Sequence, residues 1–222
     1  MDRPSHAPLL LASASPRRRR LLAWLGVPYG VTATDTPEDL AGPLAKDPPA
    51  LAVSLAAEKA LAARRSADDA TVVACDTLVI LGTEVLGKPR DLDDACRMLR
   101  ALSGRVHEVV TGVALLAPGE GPGRSFPVTT RVRMRALSDA DIAAWVADGE
   151  LMGCAGAYNI ERHLASVDDG ECYQNVAGLP LCHLYAALRD EIDGLTPPVA
   201  ACDAARGTRC SLGPRLATRV SR

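Results

Sequence analysis

The sequence predicts an α/β or α+β domain with a partly antiparallel sheet, and three features carry that expectation. Short apolar runs of strand length alternate with helical periods, one pair of runs is joined by the tight turn Gly82-Thr83, and a second pair flanks a Pro/Gly-rich connection from Pro118 to Gly123. Helical crossovers bring strands parallel and hairpins bring them antiparallel, so the sheet should be mixed.

Taken in order, Pro8-Leu9-Leu10-Leu11-Ala12 has the length of a strand, and Ser15-Pro16 supplies an N-cap with proline at the first helical position. The helix should run from about Pro16 to Leu25 and stop at Gly26. Between strand and helix, Ser13-Ala14-Ser15-Pro16-Arg17-Arg18 gathers hydroxyls and guanidinium groups at the positive end of a helix, which suits an anion and above all phosphate. After a polar stretch from Thr32 to Lys46, Asp47-Pro48-Pro49 opens a second helix through about Arg65. Leu51, Leu55, Lys59 and Ala62 recur at helical steps, placing Lys59 on an apolar stripe.

Thr71 to Leu81 is an apolar strand interrupted by one carboxylate, Asp76, and the turn returns it into Glu84-Val85-Leu86. Asp91 caps a helix carrying Ala95, Met98, Leu99 and Leu102 and ending at Gly104; strands His107–Leu116 and Phe126–Arg135 follow. Ser138 with Asp141 forms a capping-box start for a helix from Asp139 to Ala147, closed by Gly149. Residues 153–161 read as a small-residue loop and 167–170 as a turn, and Gly178-Leu179-Pro180 opens a final helix through Leu181, Leu184, Tyr185 and Leu188. Residues 1–194 thus form a single domain. Residues 195–222 hold Pro, Gly and Arg without periodicity and are expected to be a flexible C-terminal tail.

Composition removes several classes of function. With 48% apolar and 23% charged residues the chain can bury a core, and it has no apolar run near the ~18 residues of a spanning helix. The N-terminus lacks the basic and apolar regions of a signal peptide, so a cytoplasmic protein without membrane partners is expected. A net charge of −2 argues against a nucleic-acid backbone as partner. Seven cysteines without a C-x-x-C pair read as reduced thiols, neither a disulfide frame nor a zinc site. Of 25 basic residues only three are lysine, at 46, 59 and 88, which draws attention to places that want a compact point charge.

Asp76 is the sharpest chemical signal. A carboxylate inside Val-Val-Ala-Cys-Asp-Thr-Leu-Val-Ile is costly unless it is paired, metal-bound or at a cleft, the structural alternative being an edge-facing Asp at a bulge. The run Arg17-Arg18-Arg19-Arg20 opposes the helix dipole, which makes sense if an anion docks there; a solvated face is the plainer reading. Lys59 can snorkel, Lys88 can be a turn lysine, and Asp35 and Glu161 can be solvated loop carboxylates. The histidines show no metal spacing, and P-loop, Rossmann and Gly-x-Ser-x-Gly signatures are absent.

Read together, Ser13-Ala14-Ser15-Pro16-Arg17-Arg18, Glu58-Lys59-Ala60, Asp76-Thr77, Gly87-Lys88-Pro89, Leu102-Ser103-Gly104-Arg105, Val110-Thr111-Gly112, Ala155-Gly156-Ala157-Tyr158 and Gly178-Leu179-Pro180 form an ordered series over about residues 8–193. The series resembles the Maf family of nucleoside triphosphate pyrophosphatases. The resemblance implies an elongated α/β fold, a mixed β-sheet with flanking helices and a deep nucleotide cleft, often in a homodimer. It implies hydrolysis of pyrimidine or modified nucleoside triphosphates, dTTP and UTP among them, to the monophosphate and pyrophosphate, and an association with inhibition of septum formation.

By the same resemblance Ser13, Arg17 and Arg18 would grip phosphate, with Thr77 and Glu161 among the substrate-binding residues and Asp35 where the family has an acidic residue near the cleft. Lys59 and Lys88 would neutralise charge and Asp76 would be the catalytic carboxylate. It would orient or deprotonate the attacking water, or hold a divalent ion that does so, Mg²⁺ or Mn²⁺ given oxygen ligands. Family members of the pyrimidine type usually carry Lys and Gln where this chain has Cys154 and Glu161. Those two resemble the branch that prefers 7-methylguanosine triphosphate, while Asp76-Thr77 and Ala157-Tyr158 do not. The alternatives are therefore a 7-methyl-GTP pyrophosphatase and a non-catalytic nucleotide-binding regulator of septum formation.

Overall fold

The computed structural model describes residues 9–34, 36–65, 69–119 and 123–218. Its framework is a seven-stranded mixed sheet in the order β2-β1-β3-β5-β6-β7, with β4 paired to β3 off that path. Strand β1 (Leu9–Ala12) lies parallel to both β2 (Tyr29–Thr32) and β3 (Thr71–Leu81). The remaining neighbours, β4 (Glu84–Leu86), β5 (Val106–Leu116), β6 (Arg124–Met134) and β7 (Ala165–Val167), pair antiparallel. The mixed α/β expectation is met, and the β3–β4 turn is made by Gly82 at φ 64°, where a residue with a Cβ is strained.

The two faces of the sheet are packed differently because their residues differ in size. On one face helix α2 (Pro48–Arg64) lays Ala56, Ala60 and Ala63 on Ala12, Val72, Ala74 and Ala114. Small side chains on both sides let helix and sheet approach closely. At Gly112 an added Cβ would stand 2.1 Å from the carbonyl oxygen of Ala52, so no other residue fits without moving the helix. The opposite face carries the larger core, where Leu11, Val73, Cys75, Val79, Val113 and Val132 meet leucines of α1 (Pro16–Ala23), α3 (Leu92–Leu102) and α6 (Leu181–Leu188) and Trp145 of α4 (Asp139–Asp148).

The helix starts follow their caps. Ser15 accepts from the Arg18 amide, Asp47 from Ala50, Asp91 from Asp94, and Ser138 and Asp141 complete a reciprocal capping box. Helix α1 ends two residues earlier than the spacing predicts, and the chain turns at Gly26 with φ 76°. Strands β2 and β7 were not anticipated, being edges of 4 and 3 residues.

The stretch after Gly194 departs from its expectation. Instead of an unstructured tail, residues 199–206 form α7 and 212–217 form α8, and they pack on the domain. Cys202 of α7 is buried, and Arg189, at the C-cap of α6, donates to the carbonyls of Leu216 and Ala217 at 3.0 and 3.1 Å. Helices this short hold by tertiary contact rather than by periodicity, which is why the sequence pattern did not reveal them. Among the described residues no helix is long and apolar enough to cross a membrane.

Candidate active site

Strand β3 outruns its neighbour β1, whose pairing stops at Ala12 against Ala74. Asp76 and Thr77 therefore lie just beyond the carboxyl end of β1, where the chain turns into the N-terminus of α1. A crevice outside the carboxyl ends of parallel strands is where open α/β sheets bind ligands. Here it is a cleft of about 860 Å³ whose lining includes Ser13, Arg17, Arg18, Lys59, Asp76, Thr77, Lys88 and Glu161. Asp35, expected among them, lies outside the described residues.

Strand alternation sends Asp76 and Thr77 to opposite faces. Asp76 turns toward α2, where its Oδ1 accepts a hydrogen bond from Lys59 Nζ. The register explains the meeting: Asp76 is paired across the ladder with Gly112, the residue that lets α2 come close. Lys59 does not snorkel to solvent. It also donates to Glu38 Oε1 at 2.9 Å, and Lys88, just past β4, reaches the same oxygen at 2.7 Å. Glu38 is the site residue that sequence reasoning missed; it sits in an aperiodic stretch, three positions after the acid that the family resemblance suggested.

Thr77 faces the larger core and joins a chain of hydrogen bonds. Arg18 Nη2 donates to Thr77 Oγ1 at 2.9 Å, the two threonine hydroxyls Thr77 and Thr111 are 3.0 Å apart, and Thr111 donates to the Asn175 carbonyl at 3.2 Å. A hydroxyl has one proton, so Thr77 gives its own to Thr111 while accepting from Arg18. Arg18 Nε donates further to the Gly178 carbonyl at 2.8 Å. Asn175, fully buried, is itself pinned by Nδ2 contacts to the carbonyls of Val109 and Val128 and to Thr130 Oγ1. The guanidinium is thus aimed by the core.

At the helix end, the Ser15 amide donates to Ser13 Oγ at 3.1 Å, which leaves the Ser13 proton for an incoming acceptor. Arg17 donates to Cys154 Sγ at 3.0 Å and to the Gly153 carbonyl at 3.3 Å, and Arg20 is ion-paired to Glu161. These contacts tie α1 to the opposite rim. That rim is held by buried polar bonds: Trp145 Nε1 donates to the Ala157 carbonyl at 2.8 Å, and His107 Nε2 lies 2.7 Å from the Tyr158 hydroxyl. Ala157 takes φ 60°, a left-handed backbone that these bonds maintain.

Electrostatics separate the two carboxylates. Burial pushes the Asp76 pKa up, and the charges of Lys59 and Arg18 offset this only in part. Burial also raises Glu38, but hydrogen bonds from Lys88 and Lys59 outweigh it and bring the group down to about 2. Burial raises the Cys154 thiol, opposed by the Arg17 charge. Asp76 Oδ2 is buried without a hydrogen-bond partner. Among the described residues no group of three or more His, Cys, Asp or Glu is placed to cage a metal ion. Two carboxylates beside a cationic cleft instead match the way Mg²⁺ binds, through one or two carboxylates with substrate phosphates.

Comparison with known proteins gives the family of the chain. A family model described as Maf-like protein matches residues 8–191. The chain is 41% identical over 190 residues to the dTTP/UTP pyrophosphatase of Geobacter metallireducens, covering 84% of this chain and 97% of that protein. It is 45% identical over 184 residues to the dTTP/UTP pyrophosphatase of Xanthomonas euvesicatoria pv. vesicatoria, covering 79% and 94%. With the match running through every strand of the sheet and both sides of the cleft, the chain belongs to the Maf family.

Proposed function

We propose that the protein hydrolyses nucleoside triphosphates to the monophosphate and pyrophosphate. The observation that carries the reading is the convergence of Lys59 and Lys88 on Glu38, with Lys59 also bonded to Asp76, in one cleft with Arg17 and Arg18 of α1. A triphosphate brings several negative charges, and its cleavage needs charge stabilised on the departing oxygen. Arg17, Arg18 and the Ser13 hydroxyl, at the positive end of α1, hold phosphate; Lys59 and Lys88 neutralise charge that develops on pyrophosphate. Asp76 Oδ2, with no partner of its own, orients a water and takes its proton as the bond between the α- and β-phosphates breaks. Its raised pKa suits a base that must hold a proton transiently.

With Asp76 serving as the base, Glu38 together with phosphate oxygens would hold Mg²⁺ or Mn²⁺. That cation would supply further charge neutralisation on the phosphates. The test is release of pyrophosphate, distinguished from orthophosphate, across dTTP, UTP, CTP, 7-methyl-GTP and the purine triphosphates with either ion. Orthophosphate as the sole product, or no product from folded protein, contradicts the reading; in the second case tight triphosphate binding supports a non-catalytic regulator.

The preferred base is a separate matter, and Glu161 bears on it. A carboxylate only accepts hydrogen bonds, which matches the adjacent N1–H and N2–H donors of a guanine edge. Uracil and thymine present one N–H between two carbonyl oxygens, and those would face the carboxylate unfavourably. The relatives named dTTP/UTP pyrophosphatase favour a pyrimidine, and Glu161 favours a guanine-type base. The panel ranks the two, and Glu161→Gln should shift its order toward pyrimidines if the side chain reads the base.

A further inference from the structure

The helices beyond residue 191 lie outside the family match, yet they are docked on α6, on the short helix at 173–176 and on the end of β7. One of these contacts is made by Arg206, in the last turn of α7. Its side chain is only 7% exposed, and its Nη2 donates to the Val167 carbonyl at 2.8 Å and to Asp169 Oδ1 at 3.1 Å. Ser211, leading into α8, donates to the Asp169 carbonyl at 3.0 Å. Besides its bonds to Arg189, the extension therefore grips a short stretch of chain, the end of β7 and the turn after it.

That stretch joins the two rims of the cleft. Upstream it leads from Glu161 and Arg162, and downstream through α5 (Tyr173–Val176) to Val176, Ala177 and Gly178, all of which line the cleft. Tyr173 closes the loop on itself by donating to the Ile160 carbonyl at 3.2 Å, and its hydroxyl lies within the fields of both Glu161 and Arg206. Gly178 in turn accepts from Arg18. Strand β7 has 3 residues and sits at the sheet edge, too little pairing to hold such a connection rigid alone.

Arg206 is also an expensive way to make a plain packing contact. Its Nη1 is buried without a partner, and a partly satisfied buried cation is usually less stable than an apolar side chain of similar size. Its planar guanidinium gives direction instead: the two hydrogens of Nη2 leave at fixed angles and hold a main-chain carbonyl and an acidic side chain at one geometry. We propose that Arg206 is a positioning residue for the nucleotide site: by docking the C-terminal extension on residues 167–169 it fixes the Glu161 rim relative to the Gly178 rim.

The proposal rests on the pyrophosphatase reading for its kinetic readout and on the fold for its second. Full-length Arg206→Ala and Arg206→Lys would be compared with the parent by steady-state pyrophosphate release and by hydrogen exchange. Arg206→Ala should raise KM for the triphosphate about tenfold and leave kcat within about twofold, and Arg206→Lys, which keeps the charge without the planar geometry, should recover only part of the loss. Exchange should quicken at 158–171 and 176–178 while β3 and β5 keep their protection. Exchange changes confined to 199–218 with an unaltered KM would overturn the proposal, as would loss of protection throughout the sheet. Should the parent release no pyrophosphate, the functional reading falls by itself, and exchange at the two rims still decides whether Arg206 holds them.

Discussion

Gly112 stands directly across the β3–β5 ladder from Asp76, and the missing side chain there is what brings Lys59 down to the carboxylate. A methyl at Gly112 meets backbone, with 2.1 Å to the Ala52 oxygen, and backbone cannot swing aside. Gly112→Ala should cost at least about 3 kcal/mol of stability, the upper range for overpacking, and should lower activity by displacing α2. Urea unfolding checks the first part; a variant as stable as the parent would show that α2 is not held at this distance.

Glu38 is the hub between Lys59 and Lys88. Glu38→Gln keeps the shape but removes the charge, so the two lysines lose their common anchor. Pyrophosphate release should fall about 100-fold, the scale of removing one preorganised electrostatic contact. Initial rates at saturating triphosphate measure it, and an undiminished rate would assign Glu38 to structure alone.

The pH dependence of turnover follows from Asp76. A base must be ionised, and burial raises this aspartate above its ordinary value of 3.8. Activity should therefore fall with decreasing pH on a limb centred above 3.8. Glu38, held at about 2, stays ionised throughout and adds no limb of its own. A kcat profile flat down to pH 3.8 would contradict Asp76 as the base.

Stability should depend on pH through His107. Burial lowers its pKa from 6.5 to about 4, so the folded chain keeps it neutral while the unfolded chain takes up a proton below 6.5. The unfolded state binds more protons between those values, and stability falls as pH drops through them. Its share between pH 7 and pH 5 is about 2 kcal/mol. Unfolding at the two pH values should show a smaller difference in His107→Gln than in the parent.

What the sequence made legible was local. Ser15-Pro16, Asp91 and the Ser138/Asp141 pair announce helix starts because a cap needs only neighbours a few residues away, and Asp76 stands out because its strand is otherwise apolar. Lys59 and Lys88 came from the family series, and both line the cleft. Glu38 was hidden because its partners come from α2 and from the chain after β4, which only the folded sheet brings together. The same holds for Thr111 and Asn175, which aim Arg18 through Thr77, and for Arg206, whose helix is held by contact rather than by pattern.

Removing the charge of Asp76 while keeping its shape tests the central claim most directly. Single-turnover pyrophosphate release by Asp76→Asn would be measured beside the parent, with triphosphate affinity and thermal unfolding read on the same samples. The expected result is release at least about 1,000-fold slower, with the nucleotide still bound and the fold intact. A variant that releases pyrophosphate at the parent rate would show that Asp76 is not the group that activates water.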